Sequence, residues 1–193
     1  MASSTEDGDE FWGALATLLA QFPALNDHGI SGYTNIAPNF TLPSEGVITP
    51  LNGFSASLAL PLISPSQTSD SFETLINNFM TKVTAPYPKV TSNVDFTTFP
   101  NFFTFYSANN GPLDGGTEVM LGSRLLDGKA LTANHTALKQ AIQLATPPGQ
   151  VTEMNLVGGK NVWHARPRGG GNAVNPAWRT AYVHASMFAC FQT

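Results

Sequence analysis

Two segments of the chain space their apolar residues as an amphipathic helix does. The first follows Asp7-x-x-Glu10, which resembles a capping box, and it carries Phe11, Leu15, Leu18, Leu19 and Phe22. The second follows Asp70-x-x-Glu73 and carries Phe72, Leu75, Ile76, Phe79 and Val83. The spacing predicts helices that end near Pro23 and Pro86. Two shorter helices are predicted over 138–145 and, in an aromatic segment, over 100–106.

Between the helices the apolar residues alternate with polar or small ones, which is typical of a strand with one buried face. Phe54 to Leu62 is one such run. The same alternation marks 30–36, 90–98, 117–125, 151–157 and 180–188. Six strands and three main helices in this order predict an α+β fold, with a mainly antiparallel sheet of six or more strands and helices on one face.

Length and composition limit the possible functions. A chain of 193 residues that is 42% hydrophobic is sufficient for one core, so we expect a single domain over 1–193. The chain has nine Lys and Arg residues and thirteen Asp and Glu residues, and it contains no basic cluster that could follow a phosphate backbone. We therefore expect no nucleic-acid partner.

The apolar runs and the single cysteine exclude further classes. The apolar runs at 15–22 and 58–63 are shorter than the roughly 20 residues that cross a bilayer, so we expect no membrane span. The first ten residues are acidic and polar, unlike a secretory signal. Cys190 is the only cysteine, which excludes an internal disulfide and a cysteine metal cluster.

The standard short catalytic signatures are missing from the sequence. The most unusual loop instead runs from Gly158-Gly159 to Gly169-Gly170-Gly171 and encloses Trp163-His-Ala-Arg-Pro-Arg168. Its glycine content predicts a long, mobile connection between two strands.

Five segments, in the same order, resemble fungal berberine-bridge-like, FAD-linked oxidases of the vanillyl-alcohol-oxidase type. The main one, Asn172 to Ala185, resembles the family's Asn-x-x-Asn-Pro-Ala-Trp-Arg-x-x-x-x-His. The family's Pro-Tyr-Gly-Gly strand end is matched by Met154 to Lys160, where Leu156-Val157 replaces Pro-Tyr. The other three are Asp9-Glu-Phe-Trp12, the turn Gly29 to Tyr33 and Gly122-Ser-Arg-Leu-Leu126.

This resemblance implies the substrate-binding domain of a FAD-dependent oxidoreductase acting on a small molecule, either a secondary metabolite or a sugar-like compound. Family members hold FAD mainly in an N-terminal domain, which we expect this chain to lack. We therefore expect a missing domain or a partner chain to supply the flavin, and this chain alone to hold none. Two alternatives remain: a flavin-free isomerase or cyclase of fungal secondary metabolism, and a non-catalytic domain.

In the architecture that the resemblance implies, the sheet covers the flavin and alternate side chains of its strands point at the substrate. Period-two geometry puts Tyr182, His184 and Ser186 on one face of the last strand. His184 and Tyr182 are therefore candidates for handling a substrate proton, with Glu153 on a neighbouring strand as the alternative acid or base. A structural role is the other interpretation of both His184 and Tyr182.

Further residues are candidates for binding the substrate. Arg124 has the planar guanidinium that suits a substrate carboxylate or carbonyl, or else forms a salt bridge. Ser186, Trp163 and His164 complete the predicted pocket.

The same face suggests association. Tyr182, His184, Ser186 and Phe188 would lie on a surface that the flavin domain normally covers. Because large exposed patches are unusual in monomers, we expect self-association or a partner subunit.

Overall fold

A single sheet of six strands organises the residues that the computed structural model describes, which are 1–41, 50–61, 68–109, 119–171 and 174–190. The strands are β1 (Ala2–Ser4), β2 (Ser31–Thr41), β3 (Pro50–Ala59), β4 (Val119–Asp127), β5 (Thr152–Leu156) and β6 (Ala181–Cys190). Their spatial order is β1-β3-β2-β5-β6-β4, and all neighbouring strands pair antiparallel. The α+β prediction is confirmed.

The β2–β5 pair joins two halves of the sheet that come from distant parts of the chain. β1, β3 and β2 lie within the first 59 residues, whereas β4, β5 and β6 all follow residue 118. We call this pair the seam. Its register brings Asn35 opposite Glu153 and Gly32 opposite Leu156.

The helices are α1 (Gly8–Ala20), α2 (Phe22–Asp27), α3 (Ser69–Thr84), α4 (Phe102–Asn109), α5 (Gly128–Thr132), α6 (His135–Ala145) and α7 (Lys160–His164), with a 3₁₀ turn at Pro176–Arg179. α1 is the central one and packs against α3, α5, α6 and the sheet. Its predicted apolar face is confirmed, because Phe11, Leu15, Leu19 and the following Phe22 are completely buried.

One predicted strand is wrong. Of residues 90–98, only Thr91 takes part in sheet pairing, in an isolated bridge with Ala2, and the rest has no regular structure. Val94 and Phe96 still pack against the core, and the Phe96 ring lies 6.0 Å from that of Phe72 on α3. Side-chain burial therefore explains the alternation there, and the sixth strand is β1.

Both predicted capping boxes are also wrong in detail. The Asp7 side chain does not cap α1; it pairs with the Lys89 ammonium at 2.6 Å and accepts a hydrogen bond from Ser4. These two contacts hold the pKa of Asp7 below its ordinary value. The box of α3 lies two residues earlier than predicted, because Thr68 accepts from the Ser71 N–H and Ser71 Oγ accepts from the Thr68 N–H.

Pro23 lies near the start of a helix, where the sequence predicted a helix end. It occupies the first turn of α2, where the missing N–H of proline costs no hydrogen bond. None of the helices within the described ranges is long and apolar enough to cross a bilayer.

Candidate functional site

The sheet has one face packed on helices and an opposite face, which we call the polar face. Along β2, Thr34 and Ile36 are fully buried on the helix side, while Tyr33 and Asn35 point the other way and are exposed. Directly paired residues in a sheet point to the same side. The register therefore places on the polar face Tyr33, Asn35, Ser55, Ser57, Ser123, Leu125, Glu153, Asn155, His184 and Ser186.

A row of polar residues crosses the polar face at right angles to the strands. Its members are opposite one another in successive strand pairs: Ser55, Asn35, Glu153, Ser186 and Ser123. Within the described ranges no three His, Cys, Asp or Glu side chains lie together as metal ligands do. The row thus offers hydrogen-bonding groups and one carboxylate.

The Glu153 carboxylate in this row is held by Asn155, two residues further along β5. Asn155 Nδ2 donates to Glu153 Oε2 at 2.8 Å, and Asn155 Oδ1 accepts from the backbone N–H of Thr34 at 2.9 Å. The second bond fixes which way the amide points, so its NH₂ group faces the carboxylate. Asn155 is only 5% exposed, which keeps this arrangement rigid.

The Thr34 hydroxyl ties the same place in the seam to β5. It donates to the Met154 carbonyl at 2.8 Å and accepts from the Met154 N–H at 3.2 Å. Because Thr34 and Met154 are both buried, these bonds lie in a region of low dielectric and are strong. They fix β5 where it carries Glu153.

His184 and Ser186 lie beside this carboxylate on β6. Ser186 is opposite Glu153, and His184 is opposite Asn155. The imidazole of His184 is half-buried and lies 5.6 Å from the indole of Trp178, with the rings tilted by 47°. The structure therefore brings three of the predicted residues, Glu153, His184 and Ser186, to one surface.

Tyr182 departs from the face assigned by alternation. In the pairing of β4 with β6, Val183 faces Leu126 and Ala181 faces Asp127, so Tyr182 is an extra residue in a bulge. A bulge redirects side chains, and the Tyr182 ring belongs to the core, 4.9 Å from Trp163. The contacts of Tyr182 favour the structural interpretation over a catalytic one.

The Tyr182 hydroxyl lies in a charged environment at the end of α2. It donates to Asp27 Oδ1 at 3.4 Å, and Lys160 pairs with Asp27 Oδ2 at 3.2 Å. Burial, followed by the negative charge of Asp27, raises the pKa of Tyr182 above its ordinary value.

Replacing Tyr182 by phenylalanine should reduce the loss of stability at high pH. The folded state keeps the Tyr182 proton to a higher pH than the unfolded state does. The stability that protonated Tyr182 contributes is therefore complete below about pH 10, the ordinary pKa of tyrosine, and is lost as the pH rises through its raised pKa in the folded protein. Urea denaturation between about pH 8 and pH 11 measures this. The exposed Tyr33→Phe is the control, and equal pH slopes for wild type and Tyr182→Phe would contradict the prediction.

The remaining predicted residues lie elsewhere. Arg124 is opposite Ala185, a core residue, so it lies on the helix side of the sheet and not with Glu153. His164 ends α7 and is exposed. The Trp163 ring packs on Tyr182, and its buried Nε1 has no hydrogen-bond partner among the described residues. The side chain of Phe188 lies outside the described part of the structure.

The glycine-rich connection is hydrogen-bonded to β6 at its start, where Gly158 and Gly159 do not fit a flavin diphosphate. The N–H of Gly158 donates to the Tyr182 carbonyl, and that of Gly159 to the Ala181 carbonyl at 2.7 Å. These two bonds attach the start of the connection to β6. A phosphate-binding loop needs unpaired N–H groups, which these two glycines do not offer. Gly170 likewise donates to the Pro167 carbonyl.

Sequence reasoning missed Asn155 and Thr34, which position Glu153. A signal was present, because Glu153 and Asn155 are polar residues that alternate with the apolar Met154 and Leu156. That pattern places both polar side chains on one face of β5.

Comparison with known proteins points to flavoproteins. No family model matches the sequence. The chain is 28% identical to the FAD-linked oxidoreductase orf1 of Neocamarosporium betae, over 99% of this chain and 38% of that protein. It is 29% identical to an FAD-linked oxidoreductase of Arthroderma benhamiae, over 93% of this chain and 30% of that protein. The chain thus spans about a third of these relatives.

Two crystal structures from Myceliophthora thermophila share the fold. The VAO-type flavoprotein MtVAO713 superposes with a TM-score of 0.74 at 21% identity, over 92% of this chain and 30% of that one. For the VAO-type flavoprotein MtVAO615 at pH 5.0 the TM-score is 0.63 at 17% identity, over 95% and 30%. The chain therefore has the fold of one part of VAO-type flavoproteins.

Proposed function

We propose that this chain is the substrate-binding part of a berberine-bridge-like, FAD-dependent oxidoreductase that acts on a small molecule. The observation that carries the proposal is the polar face. There Glu153 of β5 lies beside His184 and Ser186 of β6, on two directly paired strands. Functional groups on strands are held more precisely than groups on loops. The FAD-linked relatives and the VAO-type fold indicate the class of reaction.

In this proposal the flavin is held by another part of the protein or by a partner chain. The backbone N–H groups of Gly158 and Gly159 are paired with carbonyls and so do not offer a diphosphate site, and the chain spans only about a third of its FAD-linked relatives. The flavin supplies the redox chemistry, and this chain supplies one wall of the substrate pocket.

The polar face would bind the substrate and move a proton. Asn155 holds one oxygen of Glu153, which leaves Oε1 to accept a proton from a substrate hydroxyl or amine. Ser186, directly opposite, is buried beside Glu153 and adds a hydroxyl next to the carboxylate. His184 adds an imidazole next to the Trp178 ring.

Supplying the missing part tests the proposal. We would produce this chain with the portion of the Neocamarosporium betae relative that lies outside the aligned segment, and follow flavin absorbance through gel filtration. The chain alone should be colourless, and the mixture should elute as a yellow complex. A chain that retains flavin by itself would contradict the division of roles, and a mixture that does not associate would contradict the docking.

Two neighbouring residues on β4 give a matched pair of variants for this experiment. Ser123 is exposed on the polar face, and Arg124 is exposed on the helix side. Ser123→Trp should block the complex by steric overlap, whereas Arg124→Trp should leave it intact. The opposite pattern would place the docking surface on the helix side.

A further inference from the structure

The last forty residues of the sequence carry basic side chains and no acidic ones. Residues 154–193 contain four of the nine Lys and Arg residues and none of the thirteen Asp and Glu. One of the four, Lys160, is neutralised by Asp27. The other three are Arg166, Arg168 and Arg179.

Arg166 and Arg179 line a cavity of about 230 Å³ together with Ala165, Pro167, Gly170 and Gly171. No acidic side chain is among these lining residues. Two guanidinium groups at one cavity repel each other unless an anion lies between them. The sequence predicted that Arg124 binds a substrate carboxylate, but Arg124 lies on the helix side of the sheet. Arg166 and Arg179 offer the same guanidinium chemistry at a cavity.

Both guanidinium groups are held by backbone carbonyls, which leaves their positive charge uncompensated. Arg166 Nη1 donates to the carbonyls of Trp163 and Ala165 at 3.2 and 3.0 Å. Arg179 uses Nη1 to reach Val162 O at 2.9 Å and Nη2 to reach Gly171 O at 3.0 Å. A guanidinium fixed in this way loses little entropy when it binds a ligand, and its fork of donors matches a carboxylate or a phosphate.

One residue that lines the cavity, Arg179, is next in sequence to a residue that packs on the polar face. Arg179 follows Trp178 in the chain, and the Trp178 ring contacts His184. The volume of the cavity is below the roughly 300–1,000 Å³ that encloses a whole ligand. It would therefore receive one end of a molecule whose remainder lies over the sheet.

We infer that this cavity binds an anionic oxygen group of the substrate, a carboxylate or a phosphate. The inference rests on the proposed function for the identity of the ligand as substrate. The substrate would then be an acid, anchored at Arg166 and Arg179 and extending toward His184.

The test uses this chain alone, so its result does not depend on flavin. Benzoate, phenyl phosphate and the neutral benzamide are titrated at constant ionic strength, and amide chemical shifts are recorded by NMR. At least one anion should saturate a single site and shift the Gly170 and Gly171 amides, while benzamide should not. The tighter of the two anions identifies the anionic group.

Variants separate a built site from general charge. Arg166→Gln and Arg179→Gln should each weaken anion binding by about tenfold or more, since each removes a charged hydrogen-bond donor. Arg179→Lys keeps the charge but loses the fork, and should also weaken it. Lys82→Gln, an equal charge change on α3, should alter binding less than about twofold.

Three outcomes would overturn the inference: equal binding of benzoate and benzamide, no saturation by either anion, or an equal effect of Lys82→Gln. Failure of the flavin experiment with a positive result here would reject the proposed function and leave the anion site standing. The reverse combination would reject only the anion site.

Discussion

Replacing Phe11 by alanine is expected to lower the free energy of unfolding by about 3–5 kcal/mol. Phe11 is completely buried, and its ring lies 5.3 Å from that of Trp12 in an edge-to-face contact. The variant loses the transfer free energy of the ring. It also leaves a cavity in the core beside α1, the helix on which α3, α5 and α6 pack. Domains are generally stable by only about 5–15 kcal/mol. Urea denaturation followed by circular dichroism measures the loss.

Phe103→Ala is the matched control for this variant. Phe103 lies on α4 and is 75% exposed, so the same chemical change there should alter stability by less than about 0.5 kcal/mol. Equal losses in the two variants would contradict the central position of α1.

Replacing Glu153 by glutamine should lower turnover of the flavin-containing complex by about 10²–10⁴-fold, the usual contribution of a general base. The amide has nearly the shape of the carboxylate but cannot take up the proton. Flavin content and complex formation should not change. Steady-state kinetics and the flavin spectrum of the same sample give both readings.

Glu73→Gln is the corresponding control, because the same change on α3 lies on the helix side of the sheet and should leave turnover unaltered. Asn155→Ala should also lower turnover, since it removes the bond that orients the carboxylate. Full turnover by Glu153→Gln together with its loss in His184→Gln would contradict the assignment and transfer the role of base to His184.

Helices with long apolar faces could be predicted from the sequence. α1 and α3 have several turns of regular spacing, so one face of each was evident. α2, α5 and α7 have only five or six residues, too few for a period to be recognised. β1 was missed for the same reason, because its three residues contain no alternation that distinguishes a strand from a loop.

The candidate site shows where strand periodicity is sufficient and where it fails. The period of two correctly grouped His184 with Ser186, because β6 is regular there. It failed at Tyr182, where a bulge interrupts the pairing with β4. Which face Arg124 occupies depends on its register with Ala185, sixty-one residues away, and local sequence carries no information on register between distant strands.

The seam also determines when the candidate site can form. β2 and β3 are close in the chain and can pair early, whereas β2 and β5 are separated by more than a hundred residues. Closing so long a loop costs entropy before any contact is gained, which slows folding. Thr34 and Asn155, one from each half, complete the support of Glu153 only when that loop has closed. A chain whose two halves have each folded but not joined would therefore contain every strand residue of the polar face and have no organised carboxylate.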